Sequence, residues 1–255
     1  MLTKKLKKLK EDRNKILFVH YSCQNLTDEN KELSPRITSI AVLFNNGQVL
    51  KSFSLHYVAE ILHINRDEIT EKYNEIEKIM LSDFFHFAET QYGSIWLHWN
   101  MTSINYGFDA LEHRYKVLTG NDAFHIDENN RYNLSKLILR RYGSKCVDDP
   151  KMTNLMKLNG GIHRDFLSGA DEVKAFEAQD YLKMHKSTMC KVKWFSFIFA
   201  RLIDERIKTN KFDLRLLLHS IFEHPVTQII SIVATLFTIC SGVYWLYGLI
   251  EGVIK

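Results

Sequence analysis

The side chains that could do chemistry here begin with carboxylates in the second half, Asp109, Glu112, Asp165, Asp171 and Glu172, with His20 and His98 as softer partners. Such acids suit a hard divalent cation, Mg²⁺ or Mn²⁺, whereas imidazole suits softer metals. Cys23, three residues from His20, raises a thiol nucleophile, but no acid is placed to orient the imidazole, and a structural Cys is the alternative. Asn159-Gly160-Gly161 lacks the Lys-Ser/Thr that completes a phosphate-binding P-loop. Trp96, Trp99, Tyr106 and Phe108 are candidates for stacking a base, with core packing as the alternative. Arg140, Arg141, Lys145, Lys151 and Lys157 are candidates for phosphate contact, against a solvated face.

The elements that must position these residues follow from periodicity. Ile16 to His20 and Ile37 to Phe44 read as apolar strands, and Val49 to His56 alternates at period two behind an Asn45-Asn46-Gly47 turn, so the last two form a hairpin. A helical stretch runs from about Ala59 to Gln91, followed by a strand at Ile95 to His98 and a helix from about Ile104 to Leu118. Leu134 to Tyr142 is a helix stopped by Gly143, and Asp171 to Lys186 is another. This order predicts a mixed sheet flanked by helices.

Over residues 16 to 186 the order and local wording resemble the ribonuclease-H-like fold of the DEDD family of 3′-to-5′ exonucleases. That family's Asp-x-Glu first strand and small-residue loop are matched by His20-Tyr21-Ser22-Cys23-Gln24-Asn25-Leu26. Its second strand is similar to Arg36-Ile37-Thr38-Ser39-Ile40-Ala41-Val42, and its hairpin to Asn46-Gly47-Gln48-Val49 with Ser52-Phe53. Its His-Asn-x-x-Phe-Asp element resembles Trp99-Asn100-Met101-Thr102-Ser103-Ile104, leading into a helix with Phe108, Leu111, Glu112 and Arg114.

The resemblance implies four carboxylates holding two divalent metals roughly 4 Å apart. This chain departs at all four places: His20 and Ser22 replace the first two acids, Ile104 the third, and Ser168 stands five residues after His163 where the fourth belongs. Asp109 and Asp171 are the possible substitutes. The expectation is a fold kept without its catalysis and without a cofactor, Mg²⁺ or Mn²⁺ entering only if the enzyme is active. Trp99, Asn100, His163 and Arg164 then mark the ligand-binding cleft.

From Val226 to Ile250 the chain carries no charge, long enough at 1.5 Å per residue to cross a hydrocarbon core of roughly 30 Å. Nine Lys or Arg lie between Lys183 and Arg215 and only Lys255 lies beyond the run, which places the bulk in the cytoplasm. Gln228, Ser231, Thr235, Thr238 and Gly242 recur at steps of three and four, a stripe suited to oligomerisation; hydroxyls bonded to their own helix are the alternative. The segment around Trp194, Ile198 and Leu202 either lies in the headgroup layer or packs on the soluble core.

Four widely spaced cysteines make neither a disulfide framework nor a CxxC knuckle, which fits a reducing cytosol. The net charge of +4 is modest and its cations cluster at the ends, which favours membrane contact over a nucleic-acid groove. The expected organisation is a basic leader (1–15), an α/β ribonuclease-H-like domain (16–190), amphipathic juxtamembrane helices (191–224) and one C-terminal transmembrane helix (225–251). The expected function is a tethered, degenerate exonuclease-like sensor, scaffold or membrane effector that binds a nucleotide, nucleic acid or protein partner at a bacterial inner membrane. Bacterial antiphage defence uses comparable tethered modules, an analogy only. The alternatives are an active membrane-bound exonuclease and a structural homo-oligomeric membrane subunit.

Overall fold

Two eight-residue runs without an acid, Lys or Arg dominate the first forty-four residues, and each is buried over seven of its eight positions. Strands buried on both faces require helices on both. In the computed structural model, which describes residues 4–24, 34–45, 47, 49–103, 105–210, 229–230, 232–235 and 237–242, the chain supplies them. In order these are α1 (Lys4–Glu11), β1 (Ile16–Cys23), β2 (Ile37–Phe44), β3 (Leu50–Ser54), α2 (Leu55–Ile61), α3 (Tyr73–Thr90) and β4 (Ile95–His98). There follow β5 (Thr102–Ser103), β6 (Tyr106–Gly107), α4 (Phe108–Thr119), β7 (Arg131–Asn133), α5 (Leu134–Tyr142), α6 (Lys151–Leu158), α7 (Gly169–Glu177) and α8 (Tyr181–Ile203).

The main sheet has the order β3-β2-β1-β4-β7. β2 runs antiparallel to both β1 and β3, while β4 lies parallel to β1 and to β7. Side chains alternate between faces. Leu17, Val19 and Tyr21 of β1 therefore enter one core with α2, α3 and α4, while Ile16 and Phe18 enter a second with α1, α5, α6 and α8. His20 and Ser22 follow the parity of the second set, and His20 packs edge-on against Phe195 of α8.

A buried ion pair fastens the first core. The Arg114 guanidinium binds both carboxylate oxygens of Glu77, whose Oε1 also accepts the Ile37 N–H at 2.6 Å. Glu77 is fully buried, and burial pushes its carboxyl up while Arg114 and the Ile37 amide pull it back.

Several boundaries differ from expectation, each for a local reason. The long helix from Ala59 breaks into α2 and α3, with His63 at φ 54° and a 3₁₀ turn at Arg66–Glu68 between them. The helix from Asp171 is two helices, parted at Gln179 (φ 54°), with the Asp180 side chain accepting from the Lys183 N–H to start α8. The expected strand to His56 ends at Ser54, where α2 begins. The basic leader is an element of the domain: Leu6 and Leu9 of α1 are buried in the second core.

α8 also runs through the expected boundary at 190/191. Phe195, Ile198, Phe199 and Leu202 are all but inaccessible, so of the two readings of this segment, packing on the core is the one observed. The expected amphipathic layer from 191 is corrected accordingly up to Ile203; residues 211–224 lie outside the described set.

The expectation of a C-terminal transmembrane helix as part of the fold is corrected too: among the described residues, no helix is long and apolar enough to cross a membrane. The residues from Lys211 to Lys255 form a second unit, in which 229–230, 232–235 and 237–242 are described and helical. Thr238 donates to Ala234 O at 2.8 Å and Ser241 to Phe237 O at 2.7 Å, so these hydroxyls bond to their own helix. Gln228 and Ser231 of the expected oligomerisation stripe lie outside the described residues; Thr235 and Gly242 lie within them.

Candidate functional site

The second half of β1 meets α8 through polar side chains in an otherwise apolar contact. Ser22 is fully buried, donates to Glu172 Oε1 at 2.8 Å and lies 2.7 Å from the Thr188 hydroxyl, which in turn lies 2.8 Å from Ser39. Each hydroxyl has one proton to give. Thr188 gives its proton to Met184 O at 2.9 Å, so it accepts from Ser39, and Ser22 shares its proton between Thr188 and the Glu172 carboxylate. The Lys191 ammonium completes the cluster, 2.7 Å from the same Glu172 oxygen and above the Phe166 ring. Lys191 and Glu172 side chains are only 6% and 17% exposed, so this pair is shielded from water.

His20 lies beside this cluster. Tyr106 donates its hydroxyl proton to Tyr21 O at 3.1 Å, so the 3.1 Å contact from His20 Nδ1 to that hydroxyl is a donation by the ring. Nε2 is then the unprotonated nitrogen, buried and without a hydrogen-bond partner among the described residues. Burial, reinforced by the Lys191 charge, holds this imidazole well below its usual range, and it is neutral.

These residues do not fit the metal pair that the resemblance implies. Of the expected acid positions, β1 offers a neutral imidazole and a hydroxyl, and Ile104 lies outside the described residues. Ser168 caps α7, accepting from the Asp171 N–H at 3.3 Å and donating to Asp171 Oδ2 at 2.6 Å, which pulls that exposed carboxyl down. Asp109 is paired with Arg131 at 2.8 Å and largely exposed. Neither substitute joins His20 or Ser22, and among the described residues no group of three or more His, Cys, Asp or Glu could hold a metal ion. Cys23 is no better placed as a nucleophile, because burial and the Glu172 charge push its thiol up and keep it protonated.

The four expected ligand-binding residues divide. Trp99 is core, stacked on Phe195 at 6.1 Å and tilted against Trp194 at 5.4 Å. Asn100 adopts φ 55° and accepts from the Asn133 amide at 3.1 Å. His163 and Arg164 line a different cleft, bordered by α8 and the 159–165 loop.

A third feature was not foreseen as a site. At the C-terminal ends of β4 and β7, where open α/β sheets commonly take ligands, lies a cleft of about 650 Å³. Five cations line it, Lys5 and Lys8 of α1, Arg131, and Lys136 and Arg140 of α5, against Asp109 and Glu128. Arg131 is committed to Asp109 and Glu112 at 2.8 and 2.9 Å. The other four cations form no ion pair among the described residues. The N-terminus of α5, capped by Asn133, adds its positive end. His98 also lines the cleft; its Nδ1 accepts the Met101 N–H at 3.1 Å, and burial, then Arg131 and Lys136, push it down to about 3. The spacing of Lys5 with Lys8 and of Lys136 with Arg140 is the signal that could have found this cleft, had α1 been recognised as docked.

Compared with protein-family models, with curated proteins and with solved structures, the chain gives no match.

Two outcomes follow. Breaking the buried pair by Lys191→Met leaves Glu172 charged and unpaired; in denaturant titration this should cost about 3 kcal/mol, and Glu172→Gln in the same chain should restore part of it. Acid should also destabilise the fold through its histidines. His98 at about 3 and His185 at about 4 are depressed from 6.5 by burial, so the unfolded chain binds protons that the folded chain refuses as pH falls through 6.5. By about pH 4 each contributes a loss on the order of 3 kcal/mol. The urea midpoint should therefore fall steadily below about pH 6.5; a midpoint flat down to about pH 4 would contradict these burials.

Proposed function

We propose that this chain is a non-cleaving relative of the DEDD exonucleases that holds the phosphate backbone of a single-stranded nucleic acid in the cleft between α1 and α5, as a membrane-associated sensor or scaffold. The observation that carries the reading is the Lys191 ammonium bound to Glu172 beside Ser22 and His20. A fixed monovalent cation stands where the resemblance calls for divalent ones, and it needs no replenishment, binds no water for attack and repels a second cation. The element order, three antiparallel strands continued by parallel ones with helices between, supports the resemblance.

The cleft supports the binding half of the reading. Lys5 with Lys8, and Lys136 with Arg140, are helical neighbours about 5–6 Å apart, so each pair presents two charges in a row. Rows of unpaired cations favour a polyanion over a single phosphate, since each contact releases a counterion. Tyr132 at the cleft offers an aromatic face for a base. Membrane association is supported by the uncharged run from Val226 to Ile250 and by the exposure of Ile229, Ile230, Ile232, Val233, Phe237 and Ile239, all 56% or more.

The test uses the full chain recovered from membranes in mild detergent, mixed with end-labelled single-stranded DNA and RNA in EDTA and in Mg²⁺. Binding should persist in EDTA, weaken steeply with salt and return the strand at full length, and Lys136→Glu with Arg140→Glu should weaken it by about tenfold or more. Shortening from the 3′ end that requires Mg²⁺ and disappears in Glu172→Gln would overturn the non-cleaving reading; absence of binding would overturn the ligand assignment, and a chain found free of membranes would overturn the association.

A further inference from the structure

α8 carries a second face that the domain leaves uncovered. While Val192, Phe195 and Phe199 pack into the core, Lys186, Met189, Lys193 and Phe197 recur at steps of three and four on the side that meets the 159–165 loop. Between helix and loop lies a cleft of about 710 Å³, separate from the cationic cleft at the sheet end and within the size range of small-ligand sites. Its floor is apolar, built from Met156, Ile162, Met189, Trp194 and Phe197. Ile162 and Phe197 are 44% and 42% exposed, large apolar surfaces that gain by being covered.

The rim is cationic. Arg164 is 89% exposed and reaches Asp165 only at 3.7 Å, and Lys186 and Lys193 form no ion pair among the described residues. Three cations thus face one carboxylate across an apolar floor. The occupant is constrained from both sides: its head must be anionic and its body apolar. A nucleobase fits poorly, because the one side-chain amide in the lining, Asn159, spends its N–H groups on Leu155 O and Lys208 O and its oxygen on the Lys208 N–H. Thioethers adapt readily to a flexible chain. The Trp194 indole N–H is buried without an acceptor among the described residues.

We propose that this cleft binds the anion of an acyl-chain amphiphile, its carboxylate or phosphate held by Arg164, Lys186 and Lys193 and its chain laid over Met189, Met156 and Phe197. The site is independent of the nucleic-acid cleft, and its failure leaves that reading intact.

The test is photo-crosslinking of the full chain in mild detergent with diazirine-bearing lauric acid, the matching lysophosphatidate and, as the neutral arm, the matching alcohol, followed by peptide mapping. Adducts are expected on the peptides that hold Met156 or Met189 to Phe197, from the acid, the lysophospholipid or both, and which anion labels more strongly identifies the source of the head group. Lys186→Glu with Lys193→Glu should cut labelling about tenfold, as should Met189→Trp, which fills the floor. Melting curves verify that the variants fold, and the charge reversal, on exposed side chains, decides if Met189→Trp does not. Labelling confined to residues 211–255, labelling by the alcohol equal to that by the anions, or labelling unchanged in a folded charge-reversed chain would overturn the proposal.

Discussion

One buried ammonium organises the centre of this domain. Lys191 projects from α8 into the seam between that helix and β1, where Glu172 of α7 meets it and the hydroxyls of Ser22, Thr188 and Ser39 lead on from that carboxylate. Two shielded charges of opposite sign oblige their surroundings to satisfy them, because either alone would be strongly destabilising. The contact therefore sets the register of α8 across β1 and β2, and with it the burial of Phe195, Ile198 and Phe199. It also determines what the site can be. The carboxylate a metal would need is already bound, and the neutral imidazole of His20 is held neutral partly by that same ammonium.

The two clefts have different linings and share one feature. Each is a place where helices that finish covering the sheet leave cations without partners: α1 and α5 at the sheet end, α8 and the 159–165 loop at its flank. They differ in what lies beneath the charge. Polar side chains and a helix N-terminus underlie the first, which suits a hydrated polyanion; thioether and aromatic side chains underlie the second, which suits an acyl chain.

The strands were legible because β1, β2 and β4 are dense apolar runs, whose parity also placed His20 and Ser22 on a common face. β7 was not, since Arg131-Tyr132-Asn133 has no hydrophobic pattern and owes its pairing to β4. α1 reads as a leader because its lysines mask Leu6 and Leu9, whose i, i+3 spacing buries them in the second core. The break between α7 and α8 depends on one left-handed residue, Gln179, that carries no strong turn signal. The cluster itself was half visible. Glu172 stands among the available acids, but Lys191 is one of the nine cations between Lys183 and Arg215 that the sequence reading spends on membrane orientation. Extending the helix to Ile203 would have aligned Met184, Thr188, Lys191, Phe195 and Ile198 on one face and shown a Lys set among core positions.

The most direct test is of the claim that Lys191 forecloses the divalent-metal site. Mn²⁺ added to the full chain can be followed by electron paramagnetic resonance, with the free-ion signal reporting what is unbound and Mg²⁺ as competitor. No saturable binding is expected in the native chain at Mn²⁺ concentrations that fill ordinary carboxylate sites. Stoichiometric Mn²⁺ uptake that Mg²⁺ displaces and Glu172→Gln abolishes would contradict it.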